Sequence, residues 1–303
     1  MSQIALAVPC GVGFYGKIPV ERDFVRINAG RFLQAGLDRW FQEAVEHLQR
    51  APLPAQPACF LLSLAAGTQP FVGVLAPGAD ALGRAFPVVI FAALDQPRRA
   101  DLSLLPLRLA SFFEVSARLA TAAHALATAQ LLAEIDALAS GLRPAVQALD
   151  ISAILDRSRC ADLGAALGGQ PVAAAYALIT LRAACSKAEA AGSSARALVL
   201  DCPAPSDELR TFWLELVSRH LHTQVPSLFW TRDRLLVMLG PAPSLILAYL
   251  ANPEHAGSRR WPLRTPDPSA LVKAREKLSP AQRRVLAASD ASLADVLQVF
   301  AED

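Results

Sequence analysis

The chain has 303 residues, 53% of them hydrophobic and 18% charged, which supplies a substantial core and excludes a globally disordered protein. Lys and Arg number 29 against 27 Asp and Glu, a net charge of +2, and this balance argues against a nucleic-acid-binding protein, which carries a clear basic excess. Five scattered cysteines (Cys10, Cys59, Cys160, Cys185, Cys202) form no Cys-x-x-Cys pair and suit free thiols in a reducing cytosol.

The opening "MSQIALAVPC" lacks the basic stretch and long apolar run of an export signal, and Ile4 to Val8 reads as a short strand. A glycine-rich segment follows, then Pro19 to Asn28. From Ala29 to Arg50 the period becomes helical, with Leu33, Leu37, Trp40, Phe41, Ala44, Val45 and Leu48 on one face. Three strand-like runs then arrive close together, "CFLLSLA" from Cys59, "FVGVLA" from Phe71 and "FPVVIFAAL" from Phe86. Gly67 to Pro70 is turn chemistry between the first two, and the short spacing favours antiparallel neighbours over crossover units.

The alanine-rich middle is helical. Its clearest helix starts at Phe112 and stops at Gly141 and Pro144, and helix or helical loop continues to Gly192. The longest apolar run, Val172 to Leu181, is too short to span a membrane before Arg182, so a soluble, cytoplasmic protein without membrane insertion is expected. "ALVLDCPAP" from Ala197 returns to strand. Ser206 is an N-cap for a helix whose apolar face carries Leu209, Phe212, Trp213, Leu216, Val217 and Leu221. "SLFWT" and "RLLVMLG" flank Arg232-Asp233 as a hairpin, and "APSLILAYLANP" reads as a short helix.

After Asn252 comes a polar, proline-bearing stretch that reads as a linker, then helices over Ser269 to Leu278 and Pro280 to Ala288. Ser279 and Gln282 form a capping box with Pro280 at the first helical position, and Ser292 opens a last helix. The expected architecture is an α/β (α+β) fold, a mainly antiparallel sheet covered by helices with an appended C-terminal helical segment. The expected organisation is an α/β domain over 1–252 and a linker with a helical extension over 253–303.

Gly11, Gly16 and Lys17 match the first seven positions of the phosphate-binding loop G-x-x-x-x-G-K-[S/T]. Ile18 replaces the hydroxyl that would hold magnesium, and Pro19 pushes Ile18 away from a helix start. A nucleotide-binding switch through residues 11–17 is one reading. The other is a glycine-rich strand end or turn, with Gly13 and Gly16 allowing unusual backbone angles or close packing.

No other catalytic or metal constellation emerges, and no cofactor is expected. There is no G-x-S-x-G elbow, and the cysteines lie in apolar or alanine-rich settings that favour inert thiols. His220 and His222 end a helix without further ligands at metal spacing, which favours a surface or helix-capping role. Arg98-Arg99, Arg259-Arg260 and Arg283-Arg284 read as solvated charge. Trp40, Trp213 and Trp230 fit the core, whereas Trp261 in the polar stretch must dock on the domain or on a partner.

Three ordered fragments together resemble one family. "GFYGKIPVERDFV" (Gly13 to Val25) looks like the opening signature of TagF/ImpM proteins, accessory proteins of bacterial type VI secretion, through Gly13, Tyr15, Gly16, Lys17, Pro19, Asp23 and Phe24. "GVLAPGADALGRAFPVVI" resembles the family's G-R-x-F-P segment after an aspartate, here Asp80, Gly83, Arg84, Phe86 and Pro87. "PSLFWT" resembles its S-L-W-W-T element, with Phe229 for the first tryptophan and Trp230 for the second. The chain departs in having Glu21-Arg22 where Arg-Gly commonly precedes the motif aspartate.

The resemblance implies a non-enzymatic, cytoplasmic, post-translational regulator, a repressor of type VI secretion acting by protein-protein interaction. The implied partner is the system's forkhead-associated-domain scaffold protein. A structural component of the secretion assembly is a further reading. The motif residues are expected to be structural or interface-forming. Asp23 is expected either to accept backbone hydrogen bonds in the turn after Pro19 or to pair with Arg84.

Overall fold

The computed structural model describes residues 9–48, 52–64, 68–95, 101–142, 149–169, 171–192, 197–222, 225–252, 260–263 and 268–301. The strand expected at Ile4 to Val8, the pair Arg98-Arg99, Pro144 and Arg259 lie outside them. Among the described residues nine strands join in one sheet. They are β1 (Pro9–Gly16), β2 (Val25–Ile27), β3 (Ala58–Leu62), β4 (Phe71–Ala76), β5 (Val88–Leu94), β6 (Leu198–Pro203), β7 (Ser227–Trp230), β8 (Arg234–Leu239) and β9 (Arg260–Pro262). The order across the sheet is β2-β1-β5-β4-β3-β7-β8-β6-β9. Every pairing is antiparallel except β6 with β9.

The strand clusters on either side of the alanine-rich middle thus form one sheet, joined where β3 meets β7 with Phe60 opposite Phe229. Strands β4 and β5 are buried along their whole length, which explains their continuous apolar runs. Alternate side chains feed two cores on opposite faces. One holds Phe14, Val74, Ile90, Leu200 and Val237; the other holds Tyr15, Leu75, Phe91, Val199 and Leu236.

The first core is covered by α4 (Ala110–Ala122), α5 (Thr128–Gly141), α8 (Pro171–Ala191) and α9 (Asp207–His220). The second is covered by α1 (Gly30–Gln34), α2 (Leu37–Glu46) and α10 (Ile246–Ala251). Short helices α3 (Leu105–Arg108), α6 (Ile151–Leu155) and α7 (Cys160–Ala166) fill in before α8. The chain ends in α11 (Pro268–Glu276), α12 (Pro280–Ala287) and α13 (Leu293–Ala301). The Ser206 and Ser279 hydroxyls accept from the Leu209 and Gln282 backbone N–H groups at 3.2 Å, so both caps form as their sequences dictate.

Several elements differ from expectation. The helix read from Ala29 to Arg50 is two helices, because Gly36 takes a left-handed conformation (φ 75°) between α1 and α2. The helix read from Phe112 breaks between α4 and α5, where Leu126 and Ala127 are extended. The stretch read as a linker contributes β9, whose Trp261 lies opposite Leu200 in register and stays 38% exposed. None of the helices among the described residues is long and apolar enough to cross a membrane.

Candidate functional site: two loops around Asp80

The glycine-rich segment is itself a strand, β1, between β2 and β5. Gly13 lies opposite Phe91, and a Cβ there would sit 2.5 Å from the Phe91 ring and 2.9 Å from the Ile27 carbonyl oxygen. At Gly16 a Cβ would sit 2.5 Å from the Pro87 carbonyl oxygen and 2.8 Å from Val88 Cα. Both glycines therefore permit close approach of neighbouring backbone and rings. This contradicts the phosphate-loop reading. Residues 11–16 are in a sheet, no helix follows Lys17, and the Lys17 ammonium is engaged inside the protein.

Beyond β1 the chain turns at Pro19 and Val20, closed by the Glu21 N–H donating to the Ile18 carbonyl at 3.1 Å. Pro19 suits the second position of such a turn because its ring presets φ. The tight turn thus forms before Arg22, and the replaced glycine of the family signature is not needed for it.

A second loop, residues 77–87, joins β4 to β5 and packs on this turn. Its organiser is Asp80. One carboxylate oxygen accepts from the Leu82 and Arg84 backbone N–H groups, each at 3.0 Å. The other accepts from Lys17 Nζ at 2.9 Å and Arg84 Nε at 2.6 Å. The Asp80 side chain is fully buried, Lys17 is 10% exposed and Arg84 is 56% exposed. Burial alone would raise the Asp80 pKa, but the bonds from Lys17, from the Arg84 backbone and side chain, and from the Leu82 N–H outweigh it. They hold the carboxyl well below the usual range. Gly83 completes the loop in the left-handed region (φ 75°), and its N–H donates to the Asp80 carbonyl.

The two loops are tied directly. The Ala81 N–H donates to the Glu21 carbonyl at 2.8 Å, and Arg84 Nη2 donates to the Arg22 carbonyl at 2.7 Å. Arg84 therefore pairs with Asp80, and the expected Arg84 pairing with Asp23 is replaced. Asp23 takes the other expected role, accepting from the Phe24 N–H at 2.7 Å in the turn after Pro19.

Under the loops lies an aromatic cluster. Tyr15 stacks on Phe24 at 5.2 Å and meets Phe86 edge-on at 5.7 Å, while Phe24 and Phe86 cross at 4.7 Å. Lys17 Nζ lies 5.1 Å from the Phe24 ring centre, a cation–π distance. The structure thus brings together Tyr15, Lys17, Phe24, Arg84 and Phe86 around Asp80, with Gly16 and Pro87 in close backbone contact beneath. Trp230 is not part of this group. It packs edge-on against Phe113 at 4.8 Å in the core on the other face of the sheet.

The outer surface of the two loops has apolar tips and charges of both signs, with arginines in excess. Val20 is 52% exposed and Leu82 65% exposed, one on each loop. Arg22, Asp23 and Arg84 are exposed on the same two loops, and Arg26 is exposed on β2 beside Phe24. Val20 and Leu82 carry no sequence signal that marks them as exposed tips. Asp80 is marked in the sequence as the aspartate of the motif segment and as an isolated carboxylate four residues before Arg84, but neither signal reveals its bond to Lys17.

Elsewhere, His220 closes α9 half-buried, its pKa lowered by burial and by Arg182. Trp40 and Trp213 donate from Nε1 to the Ala242 and Pro203 carbonyls, as core tryptophans do. Among the described residues no group of three or more His, Cys, Asp or Glu side chains is placed to hold a metal ion.

The family described as the TagF N-terminal domain, type VI secretion system-associated, matches residues 13–138, a span that contains both loops. No curated protein matches the chain. Among solved structures, the crystal structure of PA0076 from Pseudomonas aeruginosa PAO1 is similar at 19% identity and a TM-score of 0.44, covering 79% of this chain and 93% of that one.

Proposed function

We propose that this chain is a non-enzymatic, cytoplasmic accessory protein of bacterial type VI secretion that binds a component of that system through the face of the two Asp80-linked loops. The observation that carries the reading is the coincidence of the family match with the cluster of Lys17 and Arg84 on the buried Asp80 carboxylate. Residues 13–138 match a type VI secretion-associated family, and within them Lys17, Asp80 and Arg84 fix a loop pair that presents Val20 and Leu82. A buried carboxylate saturated by four donors has no capacity left for acid–base work. Its effect is to hold two loops rigid, which lowers the ordering cost of binding at their tips.

Apolar tips beside exposed arginines, which outnumber the one exposed aspartate of the loops, Asp23, suit a partner patch of apolar side chains with an excess of carboxylates. The forkhead-associated-domain scaffold of the secretion system is the partner to test first, and repression after translation is the effect. The experiment is co-purification of the tagged chain from cells expressing the secretion cluster, compared with Val20→Ser/Leu82→Ser. The reading expects capture of a secretion component by the native chain and loss of it in the double variant with unchanged thermal stability. Capture unaffected by the substitutions would remove this face, and no association with any secretion component would remove the function.

A further inference from the structure

A second site lies far from the two loops in sequence, where the C-terminal helices meet α8. A cavity of about 520 Å³ opens between the N-terminal end of α8 and helices α11 and α12. Its walls are apolar, formed by Val172 and Ala175 on one side and Leu278 and Leu286 on the other, and two arginines, Arg275 and Arg283, line it as well. This volume and this mixture, mostly apolar surface with a few polar groups, are typical of small-molecule sites.

The arginines have unspent capacity. Arg283 Nη2 makes one long bond, 3.4 Å, to the Glu276 carbonyl, and among the described residues no carboxylate pairs with Arg275 or Arg283. Their surroundings reinforce the sign. Residues 268–287 contain five basic side chains and one acidic one, in a chain whose total net charge is +2. Gly169 and Val172 bring the N-terminal end of the 21-residue α8 to the same wall, and its partial positive charge adds to that of the guanidiniums.

We propose that this cavity binds a free amphipathic anion, a single carboxylate or phosphate on a short aliphatic body. The head group would engage Arg275 and Arg283, whose planar guanidiniums match pairs of carboxylate or phosphate oxygens, and the body would lie against Leu278, Leu286 and Ala175. This assignment is independent of the function proposed for the two loops.

The test is calorimetric titration of the full chain with monomeric octanoate and octyl phosphate, with octanol as the neutral probe and anionic phospholipid vesicles as a separate arm. Octanoate and octyl phosphate are expected to bind, with octanol at least about tenfold weaker. Arg275→Ala/Arg283→Ala should weaken binding of the anions by about tenfold or more, while Arg284→Ala, which changes the neighbouring charge without touching the cavity, should leave it unchanged. Both lining arginines are exposed, so the double variant should keep the native urea midpoint. No heat with either anion, equal binding of octanol, equal weakening by Arg284→Ala, or recruitment to vesicles without binding of the monomeric anions would each overturn the proposal.

Discussion

Alanine substitution of three glycines in β1 distinguishes a packing motif from a phosphate loop, because the two uses need different glycines. At Gly16 the added methyl meets backbone where the second loop enters β5, the Pro87 carbonyl oxygen at 2.5 Å and Val88 Cα at 2.8 Å, and φ is +154°. Backbone cannot rotate out of the way. Overpacking costs about 1–3 kcal/mol and an unfavourable φ about 1–3 kcal/mol more, so Gly16→Ala should lose about 2–6 kcal/mol. Gly13→Ala meets the Phe91 ring at 2.5 Å, which can shift, and the Ile27 carbonyl at 2.9 Å, which cannot, so about 2–3 kcal/mol is expected. Gly11 has φ 65° but nothing within 4 Å of a Cβ. Only the left-handed conformation opposes alanine there, about 1–2 kcal/mol, partly offset by the less flexible unfolded chain, for a net loss of about 1 kcal/mol or less. Urea unfolding followed by tryptophan fluorescence reads these differences as midpoint shifts at constant slope. At about 2 cal/mol/K of unfolding entropy per residue, the Gly16 loss also lowers Tm by about 3–9 °C. A phosphate loop would rank Gly11 with Gly16 and leave Gly13 tolerant. That ranking, or a Gly11→Ala loss as large as that of Gly16→Ala, would refute the packing argument.

Lys17→Met should cost about 2–3 kcal/mol by urea unfolding, below the 3–5 kcal/mol typical of breaking a buried pair because Asp80 retains three donors. Arg84→Gln should cost about 1 kcal/mol or less, since that side chain is more than half exposed. Because the folded Asp80 pKa is depressed, its stabilising contribution is complete above the unfolded value near pH 4 and is lost as pH falls from there toward the folded value. The stability gap between the native chain and Asp80→Asn, measured from pH 7 downward, should accordingly be flat to about pH 5 and then narrow. Burial pushes the Cys185 thiol up to about 12 and that of Cys202 well above its ordinary value. Peptide mapping after alkylation at pH 8 should find half-exposed Cys10 modified in the native protein, and Cys185 and Cys202 only after unfolding.

The parts of the fold legible from sequence are those whose signals are local. Phe71 to Ala76 reads as a strand because an apolar run sits between turn residues, and it occupies those six positions in β4. Ser206 and Ser279 read as caps because their partners lie three residues away. Gly36 escaped because the apolar period continues across it, and only the left-handed φ reveals the break. In β1 the alternation is blurred because glycine fills Gly13, where a side chain would collide with Phe91. The Asp80 cluster was harder still. Its bond to Lys17 spans 63 positions, and Arg84 was legible as an isolated charge in need of a partner but not as one already satisfied four residues earlier. The cavity joins α8 to helices about a hundred residues further on, so no window of sequence contains it.

The measurement that bears most directly on the proposed function is quantitative capture of type VI secretion components by the tagged native chain, set beside Val20→Ser/Leu82→Ser and Arg284→Ala. The loop face predicts that the first variant loses the captured component while its urea midpoint stays native, and that Arg284→Ala retains it. Equal capture by all three proteins, or capture of no secretion component by the native chain, would contradict the account.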